Sequence, residues 1–254
     1  MPAVSFCSTC RNRLWQLRQT LPVNLATLRR QTGTELILVD YGSSDELAEW
    51  VWQNFQGEID AGLLQFFQLE GRPPWNCARA KNLAHRLATG GYLFNLDADN
   101  FIQQHDLEQI NPAAVAGKVI HQWSGDWHDG SPGRIGLPRD LFYSLGGYDE
   151  GMLGVGMHDI DLLHRCERIG RSPLKILAPS RQAVDNSVGD KIAQVDRNGG
   201  DAHQLYEQML AHNRARAKLR LQLHGETIVD GFATAVGRLN GRRVEVSGAV
   251  RRLD

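Results

Sequence analysis

Apolar runs of strand length alternate with stretches of helical periodicity through the first hundred residues, and this alternation limits the fold more than any other feature of the chain. The strand-like runs lie at 3–8, 35–40, 63–69 and 92–96. Helical spacing connects them, most clearly in five leucines that recur at steps of three and four between residues 14 and 28. This order predicts an α/β fold with a doubly wound, mostly parallel sheet.

Further elements are predicted from local signals. Pro22 lies inside the first helical pattern, which predicts two shorter helices or a kink there. Asn240-Gly241 lies between two alternating stretches and indicates a β-hairpin. A strand is also predicted at 118–123. The remaining helices are predicted at 45–52, 78–88, 138–145, 158–169 and 202–218.

Whole-chain composition excludes several classes of protein. The 254 residues are 42% hydrophobic and 22% charged, and their formal net charge of −1 argues against a generic nucleic-acid binder. No apolar run approaches the roughly 20 residues that span a bilayer. The N-terminal residues lack the layout of a signal peptide, and four cysteines are too few for a secreted disulfide scaffold. These features predict a cytoplasmic protein.

Charge is distributed unevenly along the chain. Residues 214–254 contain nine basic and four acidic residues, a net charge of +5, which leaves −6 for the rest. We therefore divide the chain into a main α/β domain, 1–213, and a basic C-terminal extension with a helix and a hairpin, 214–254. For this extension three roles are open: a homo-oligomer contact, a substrate-docking arm, or peripheral contact with anionic lipid.

Two carboxylates follow the fourth predicted strand, in Asp97-Ala98-Asp99. Open α/β sheets bind ligands at the carboxyl ends of their strands, and in extended backbone alternate side chains share a face. Both acids are therefore predicted to point into one crevice. Carboxylate oxygens suit Mg²⁺ or Mn²⁺, which bridge them to a diphosphate. A solvated turn is the alternative interpretation.

The second predicted strand ends at the same edge, in Asp40, and is followed by a tight polar loop. An acid there can hydrogen-bond a nucleobase or ribose, although Ser44 or Asp45 could simply cap the next helix. Four cations near this edge could hold phosphates or could be solvated surface charges. They are Arg11, Arg13, Arg79 and Lys81. Together these features indicate a nucleotide-diphosphate pocket.

Five motifs between residues 3 and 170 also occur, in this order, in a known family. They are RNR at 11–13, LVD with GSSD at 38–45, ARAKN at 78–82, DAD at 97–99, and GGYDE followed by GVGMHDID at 146–161. In these motifs the sequence resembles glycosyltransferases of the Rossmann-like GT-A fold, in the family 2-like group. Within that group it is most similar to β-1,4-galactosyltransferase-type and chondroitin-polymerase-type domains.

The resemblance implies a metal-dependent, inverting glycosyltransferase that uses a nucleotide-sugar, with a UDP-sugar favoured and the carbohydrate, lipid-linked or protein acceptor unspecified. Asp159 falls on the catalytic base, with a helix N-cap as its alternative role. Asp40 would hold the uracil or ribose, Asp97 the ribose and Asp99 the Mn²⁺ or Mg²⁺ ion. The implied nucleotide and substrate contacts are Thr9, Arg11, Arg13, Asp40, Ser43, Arg79, Asp97, Ala98 and His158, and the implied metal ligands are Asp97, Asp99 and Asp185.

The sequence departs from the family pattern at two positions. His158 stands where the family usually has Glu, and Val155 replaces a frequent Trp in the substrate-covering loop. The third metal ligand is also open, with Asn186, His203 and His158 as alternatives to Asp185. Two further functions stay open: a sugar-nucleotide pyrophosphorylase, and a non-catalytic relative that binds carbohydrate or nucleotide.

Other reactive side chains carry weaker signals. Cys7 and Cys10 have the spacing of half a zinc or redox site, but no second pair follows, so core packing is favoured. Three residues between the DAD and GGYDE motifs fall where the family places acceptor contacts, and core packing is their alternative. They are Trp123, Trp127 and His128.

Overall fold

The chain forms a nine-stranded mixed sheet in the computed structural model, which describes residues 3–126, 130–177, 183–195 and 201–248. The strands are β1 (Val4–Cys10), β2 (Thr34–Asp40), β3 (Leu64–Leu69), β4 (Tyr92–Asn95), β5 (Ile120–Gln122), β6 (Ile135–Pro138), β7 (Leu174–Ile176), β8 (Ala235–Leu239) and β9 (Arg242–Val246).

Helices connect most of these strands. They are α1 (Leu14–Leu28), α2 (Leu47–Asp60), α3 (Cys77–Leu87), α4 (Gln104–Val115), α5 (Arg139–Ser144), α6 (His158–Arg168), α7 (Val188–Ile192) and α8 (Ala202–Lys218). A 3₁₀ turn covers Ser131–Gly133, and α8 continues into a π-helical segment, Leu219–His224. Within these described ranges no helix is both long and apolar enough to cross a membrane.

The sheet has a parallel centre, and the strands that attach to it on each side are antiparallel. Its order is β7-β5-β6-β4-β1-β2-β3-β8-β9, and β3, β2, β1 and β4 run parallel to one another. Strands β6 and β8 attach antiparallel to β4 and β3. The predicted α/β fold with a mostly parallel central sheet, a C-terminal helix and a hairpin is therefore confirmed.

Hydrophobic cores lie on both faces of the sheet, as a doubly wound fold requires. One core contains Phe6 and Leu36 under α1, α2 and α4, and the other contains Ile37 and Phe67 with residues of α3, α5 and α6. Cys7 and Cys10 are both buried and belong to opposite cores. Their spacing therefore serves packing, as favoured from the sequence.

Helix α1 is continuous, so the prediction of two shorter helices is wrong. Pro22 lies inside it and faces solvent, as does Arg18, whose carbonyl loses its hydrogen-bond donor to the proline ring. Water can satisfy that carbonyl, while the buried leucine face of the helix stays intact. This tertiary packing explains why the helix tolerates its proline.

The C-terminal segment is built into the sheet and the helix layer. Residues 213 and 214 both lie inside α8, and β8 pairs with β3 in a register that joins Phe67 to Leu239. The Asn240-Gly241 turn has positive φ at both positions, and β8 and β9 form the predicted hairpin.

Candidate functional site

The site lies where the carboxyl ends of three parallel strands meet. Strand β1 is flanked by β4 and β2, with Cys7 opposite Asn95 and Cys10 opposite Asp40. The loops that leave these ends carry RNR, the Asp40 loop and the DAD motif. One edge of the sheet therefore collects three of the five sequence motifs, as parallel strand order predicts.

Lys81 connects the DAD motif to the helix that begins near residue 158. Its Nζ lies 2.8 Å from Asp159 Oδ1 and 3.2 Å from Asp97 Oδ1. The Lys81 side chain is only 3% exposed, and it also lies 5.5 Å from the centre of the Tyr148 ring. The sequence predicted Lys81 as a cation for phosphates, but its ammonium is a buried link between two carboxylates.

Lys81, Asp97 and Asp159 form a trio whose charges shift one another's pKa values. Burial raises the pKa of Asp159 above its usual range and Asp97 adds to the rise, whereas the Lys81 ammonium opposes it. Burial would also raise the pKa of Asp97, but Lys81 and the Asn95 amide bring it below its usual range. Burial would lower the pKa of Lys81, yet the two carboxylates hold it well above the usual value. Lys81 is therefore charged, and Asp159 is the more basic carboxylate.

Helix α6 presents Asp159 without using it as a cap. The N-cap is Met157, in the left-handed region at φ 69°, and no side chain caps the helix there. Asp159 lies in the first helical turn with its carboxylate on Lys81. The N-cap alternative is therefore wrong. Burial raises the pKa of Asp159, and the Lys81 ammonium is the strongest influence that favours its ionised form.

The DAD motif forms a turn, so the extended backbone expected from the sequence is wrong. The Asn100 N–H donates to the Asp97 carbonyl at 2.8 Å, which closes a turn over residues 97–100. Ala98 is buried in the core, and its carbonyl accepts a hydrogen bond from Thr20 Oγ1. Asp97 is fixed by the Asn95 amide at 3.0 Å, and Asn95 also donates to the Gly133 carbonyl.

Asp99 accepts hydrogen bonds from two amides. Asn100 and Asn186 each donate to one of its oxygens at 2.7 Å, and Arg13 Nη1 lies 4.0 Å away. Burial and the neighbouring Asp97 carboxylate raise the pKa of Asp99. Asp185 is exposed, and the neighbouring Asn186 is the residue that donates to Asp99 Oδ2.

This donor set fits a hard divalent cation that is completed by a substrate. Within the described ranges, no three His, Cys, Asp or Glu side chains form a group that could hold a metal on their own. Mg²⁺ is usually held by one or two carboxylates together with substrate phosphates, and Mn²⁺ prefers the same oxygen ligands. Asp97 and Asp99 supply such a pair, and a cation would offset the repulsion that raises the pKa of Asp99.

The Asp40 loop is tied to the loop after β1. The Ser43 N–H donates to Asp40 Oδ1 at 2.8 Å, and the Asn12 N–H donates to Ser43 Oγ at 3.0 Å. Burial raises the pKa of Asp40, and the Ser43 hydrogen bonds oppose the rise. Arg11 donates to the Pro73 carbonyl. The structure thus joins the first two motifs along one side of the site.

Three other predicted contacts take different positions. Thr9 is half-buried at the end of β1, and Arg79 is half-exposed in α3 with its Nε 3.4 Å from Glu150. His158 is only 2% exposed, and its Nε2 has no hydrogen-bond partner among the described residues. Burial, with help from Lys81, lowers the pKa of His158 to about 3, so its ring is neutral.

The remaining candidates lie apart from this trio. His203 is exposed at the start of α8. Trp123 stacks on His121, with ring centres 5.5 Å apart, and donates to the Asp126 carbonyl. Trp127 and His128 lie outside the described residues. The acceptor contacts suggested for these aromatic residues stay predictions.

Residues missed from the sequence come from α8 and the segment after it. Asn213, Arg216 and Arg220 contact the GGYDE–HDID region, as detailed below. Their only sequence signal is the i, i+3, i+7 spacing of polar residues on a helix. Such spacing also describes any solvated face, so it could not have identified these contacts.

Comparison with known proteins agrees with this geometry. The protein family described as Glycosyl transferase family 2 matches residues 5–170. Among curated proteins, no sequence matches the chain.

Similar solved structures share the fold at low sequence identity. Mannosyltransferase PcManGT from Pyrobaculum calidifontis, in complex with GDP-Man and Mn²⁺, is 20% identical with a TM-score of 0.57, over 85% of this chain and 64% of that one. S. aureus TarS 1–349 in complex with UDP is 16% identical with a TM-score of 0.56, over 89% and 74%. The catalytic domain of Drosophila β1,4-galactosyltransferase 7, in complex with xylobiose, is 14% identical with a TM-score of 0.54, over 82% and 80%.

These likenesses show a GT-A-type fold, and this chain spans less than two thirds of the mannosyltransferase. The particular resemblance to galactosyltransferase-type and chondroitin-polymerase-type domains stays a prediction. The family match covers more than half of the chain and all five motifs. The chain therefore belongs to glycosyl transferase family 2.

Proposed function

We propose that the chain moves a sugar from a nucleotide-diphosphate sugar, with a UDP-sugar as the expected donor, to an acceptor hydroxyl with inversion. The observation that carries the proposal is the position of Lys81 between Asp97 and Asp159. Lys81 joins Asp97, which is predicted to bind the donor, to Asp159, a carboxylate whose pKa is raised. A single displacement at a sugar carbon needs a bound donor and a general base side by side.

Asp159 is the proposed general base. It is the carboxylate of the trio with a raised pKa, and its side chain is 22% exposed, so an acceptor hydroxyl can reach it. A carboxylate oxygen of Asp159 would take the proton of the acceptor hydroxyl while the hydroxyl oxygen attacks the sugar carbon and the diphosphate leaves. Lys81 keeps Asp159 ionised before this step and stays charged itself. The base is therefore both available and stronger than an ordinary aspartate.

The donor is proposed to lie along the wall made by the first three motifs. Asp40 would accept from the uracil or ribose, and Asp97 from the ribose. Arg11, Arg13 and Arg79 would approach the phosphates, with Thr9 and Ser43 beside them. A Mn²⁺ or Mg²⁺ ion held by Asp97 and Asp99, with Asp185 as a further predicted ligand, would neutralise the leaving diphosphate as a Lewis acid.

The bound groups of similar proteins support the class of donor. PcManGT was solved with GDP-Man and Mn²⁺, and TarS with UDP. Those two structures hold different nucleotides, so they favour a nucleotide-sugar without choosing its base. The UDP preference rests on the resemblance of RNR and the Asp40 loop to uridine-binding loops.

The experiment is turnover of a panel of UDP-, GDP- and TDP-sugars, followed as nucleoside-diphosphate release with and without a broad acceptor mixture. We expect release from one donor in Mn²⁺ or Mg²⁺, and at least a tenfold loss after chelation with EDTA. Calorimetry with UDP and GDP, each with and without Mn²⁺, gives the nucleotide preference separately from chemistry. An enzyme that is equally active in EDTA, or that binds no nucleoside diphosphate, would overturn the proposal.

A non-catalytic relative is the second candidate, because His158 replaces the usual Glu and is buried and neutral. Such a protein would bind UDP with Mn²⁺ and release nothing from any donor. The pyrophosphorylase alternative is less favoured, since the loop after β1 has no glycine. Incubation with a nucleoside triphosphate and a sugar 1-phosphate would form pyrophosphate only in that case.

A further inference from the structure

One face of α8 holds residues 149–157, the segment that leads into α6. The Asn213 side chain is fully buried, and its amide NH₂ donates to the carbonyls of Leu153 at 2.9 Å, Val155 at 3.2 Å and Gly156 at 2.9 Å. Its Oδ1 accepts the Leu153 N–H at 2.7 Å. A carboxylate cannot donate these bonds and a hydroxyl cannot make them all, so the position requires an amide.

Two arginines further along the same face bind carboxylates at the start of this segment and in the first turn of α6. Arg216 makes a bidentate pair with Asp149, at 2.9 and 3.0 Å. Arg220 contacts the Asp161 carboxylate and lies 3.8 Å from Asp149. Both carboxylates are almost fully buried. Arg220 therefore joins the start of the segment to the first turn of α6, two residues after Asp159.

Glycines allow the helix to approach this closely. A Cβ on Gly151 would collide with the Arg216 guanidinium, one on Gly154 would lie 2.6 Å from Met209 Sδ, and one on Gly156 would lie 2.5 Å from Leu210. At these three glycines the backbone of residues 149–157 therefore packs directly against side chains of α8. A segment held in this way is a fixed wall of the site.

We propose that Asn213, Arg216 and Arg220 form a C-terminal clamp that positions Asp159 for catalysis, an inference that rests on the proposed function of that residue. The clamp acts through the backbone of 149–157 and through Asp161, and it touches neither the Asp40 loop nor the DAD motif in the bonds described above. Clamp residues are therefore positioning residues. Their loss should lower kcat while the affinity for nucleotide stays unchanged.

The test compares Asn213→Ala with Arg214→Ala, its exposed neighbour on the same helix. For each variant we would measure the Kd for UDP with Mn²⁺, kcat and KM for the active donor, and hydrogen exchange of residues 149–161. We expect Asn213→Ala to keep Kd and KM within about twofold, to exchange faster across 149–161, and to lose roughly 10- to 100-fold in kcat. Arg214→Ala should match the wild type.

Arg220→Lys and Arg220→Gln form a second pair that keeps the proposal testable if Asn213→Ala does not fold. The lysine retains the charge beside Asp161 and should keep most of kcat, whereas the glutamine should lose it without weakening UDP binding. An unchanged kcat in the glutamine variant, or a parallel loss of kcat and UDP affinity, would overturn the clamp. Lack of turnover in the wild type would instead contradict the proposed function, and faster exchange confined to 149–161 would then still support the clamp.

Discussion

Lys81 is the residue on which the electrostatics of the site depend. A single buried ammonium lies within 3.2 Å of both Asp97 and Asp159. It lowers the pKa of each carboxylate against the effect of burial. Without it, two acids would share a half-buried crevice, and like charges in such a place cannot both stay ionised at their usual pKa.

We predict that Lys81→Met moves the acidic limb of the pH–kcat profile to higher pH. The Lys81 cation favours the ionised form of Asp159, so its removal raises the pKa of that base. Asp159 is then protonated, and inactive as a base, up to a higher pH than in the wild type. The measurement is kcat between pH 5 and 9.

Arg86→Met is the control for this variant, because Arg86 lies on the same helix and its guanidinium donates to the Ala233 carbonyl. It should keep the wild-type limb. A limb that stays in place in Lys81→Met, or that moves to lower pH, would show that Lys81 does not set the ionisation of the base.

Among the elements, the short 3₁₀ turn Ser131–Gly133 packs directly against the DAD motif. A Cβ on Gly133 would collide with the Asp97 carboxylate, and the Gly133 carbonyl accepts from the Asn95 amide that fixes Asp97. The turn itself is anchored by buried Arg134, whose Nη1 donates to the Phe101 carbonyl. The geometry of Asp97 is thus determined by an element about 35 residues further along the chain.

We predict that Gly133→Ala weakens the binding of UDP with Mn²⁺ by roughly tenfold or more, because the new methyl group displaces Asp97. Calorimetry measures this directly. Gly57→Ala in α2 is the matched control, since no atom lies within 4 Å of its added Cβ, and it should bind UDP normally. Equal affinities in both variants would show that Asp97 takes no part in donor binding.

The opposite end of the parallel strands is held by Glu35 of β2. Its Oε1 accepts from Ser5 Oγ at 2.6 Å, from the Thr89 N–H at 2.7 Å and from Thr89 Oγ1 at 2.9 Å. The carboxylate is 2% exposed. It therefore ties β1, β2 and the segment before β4 together, far from the proposed chemistry.

We predict that Glu35→Ala lowers the free energy of unfolding by about 3 kcal/mol, because buried donors lose a charged acceptor. Urea unfolding measures the loss, and the affinity for UDP at temperatures where the variant is folded should be unchanged. Glu108→Ala, at an exposed position of α4, should unfold like the wild type. A loss below 1 kcal/mol in Glu35→Ala would indicate that these hydrogen bonds contribute little.

Across the whole molecule, the sequence predicted those strands and helices that local residue patterns encode. The strands and helices of the first hundred residues, α8 and the hairpin follow from periodicity and turn chemistry. Helix α4 was missed because its buried residues are few and Pro112 lies inside it, although its capping box of Gln103 and Asp106 was present. Strand β6 was missed because a segment of four residues is too short to show a periodicity.

The site was predictable only in part, for a physical reason. Asp97, Asp99 and Asp159 belong to local motifs, so their residues could be named. The link through Lys81 and the clamp depend on packing between distant elements, which no spacing encodes. The basic extension is a further example, because Arg216 and Arg220 pair with the buried carboxylates of Asp149 and Asp161. Part of its net charge of +5 is therefore not available as a free basic surface.

The proposed reaction depends on Asp159 acting as base beside an intact donor site, and one pair of variants tests this most directly. Asp159→Asn should bind UDP with Mn²⁺ as the wild type does and should lose roughly 10²- to 10⁴-fold in kcat for the active donor. Glu245→Gln on exposed β9 makes the same chemical change elsewhere and should keep full activity. An Asp159→Asn enzyme that turns over at the wild-type rate would contradict the proposed reaction.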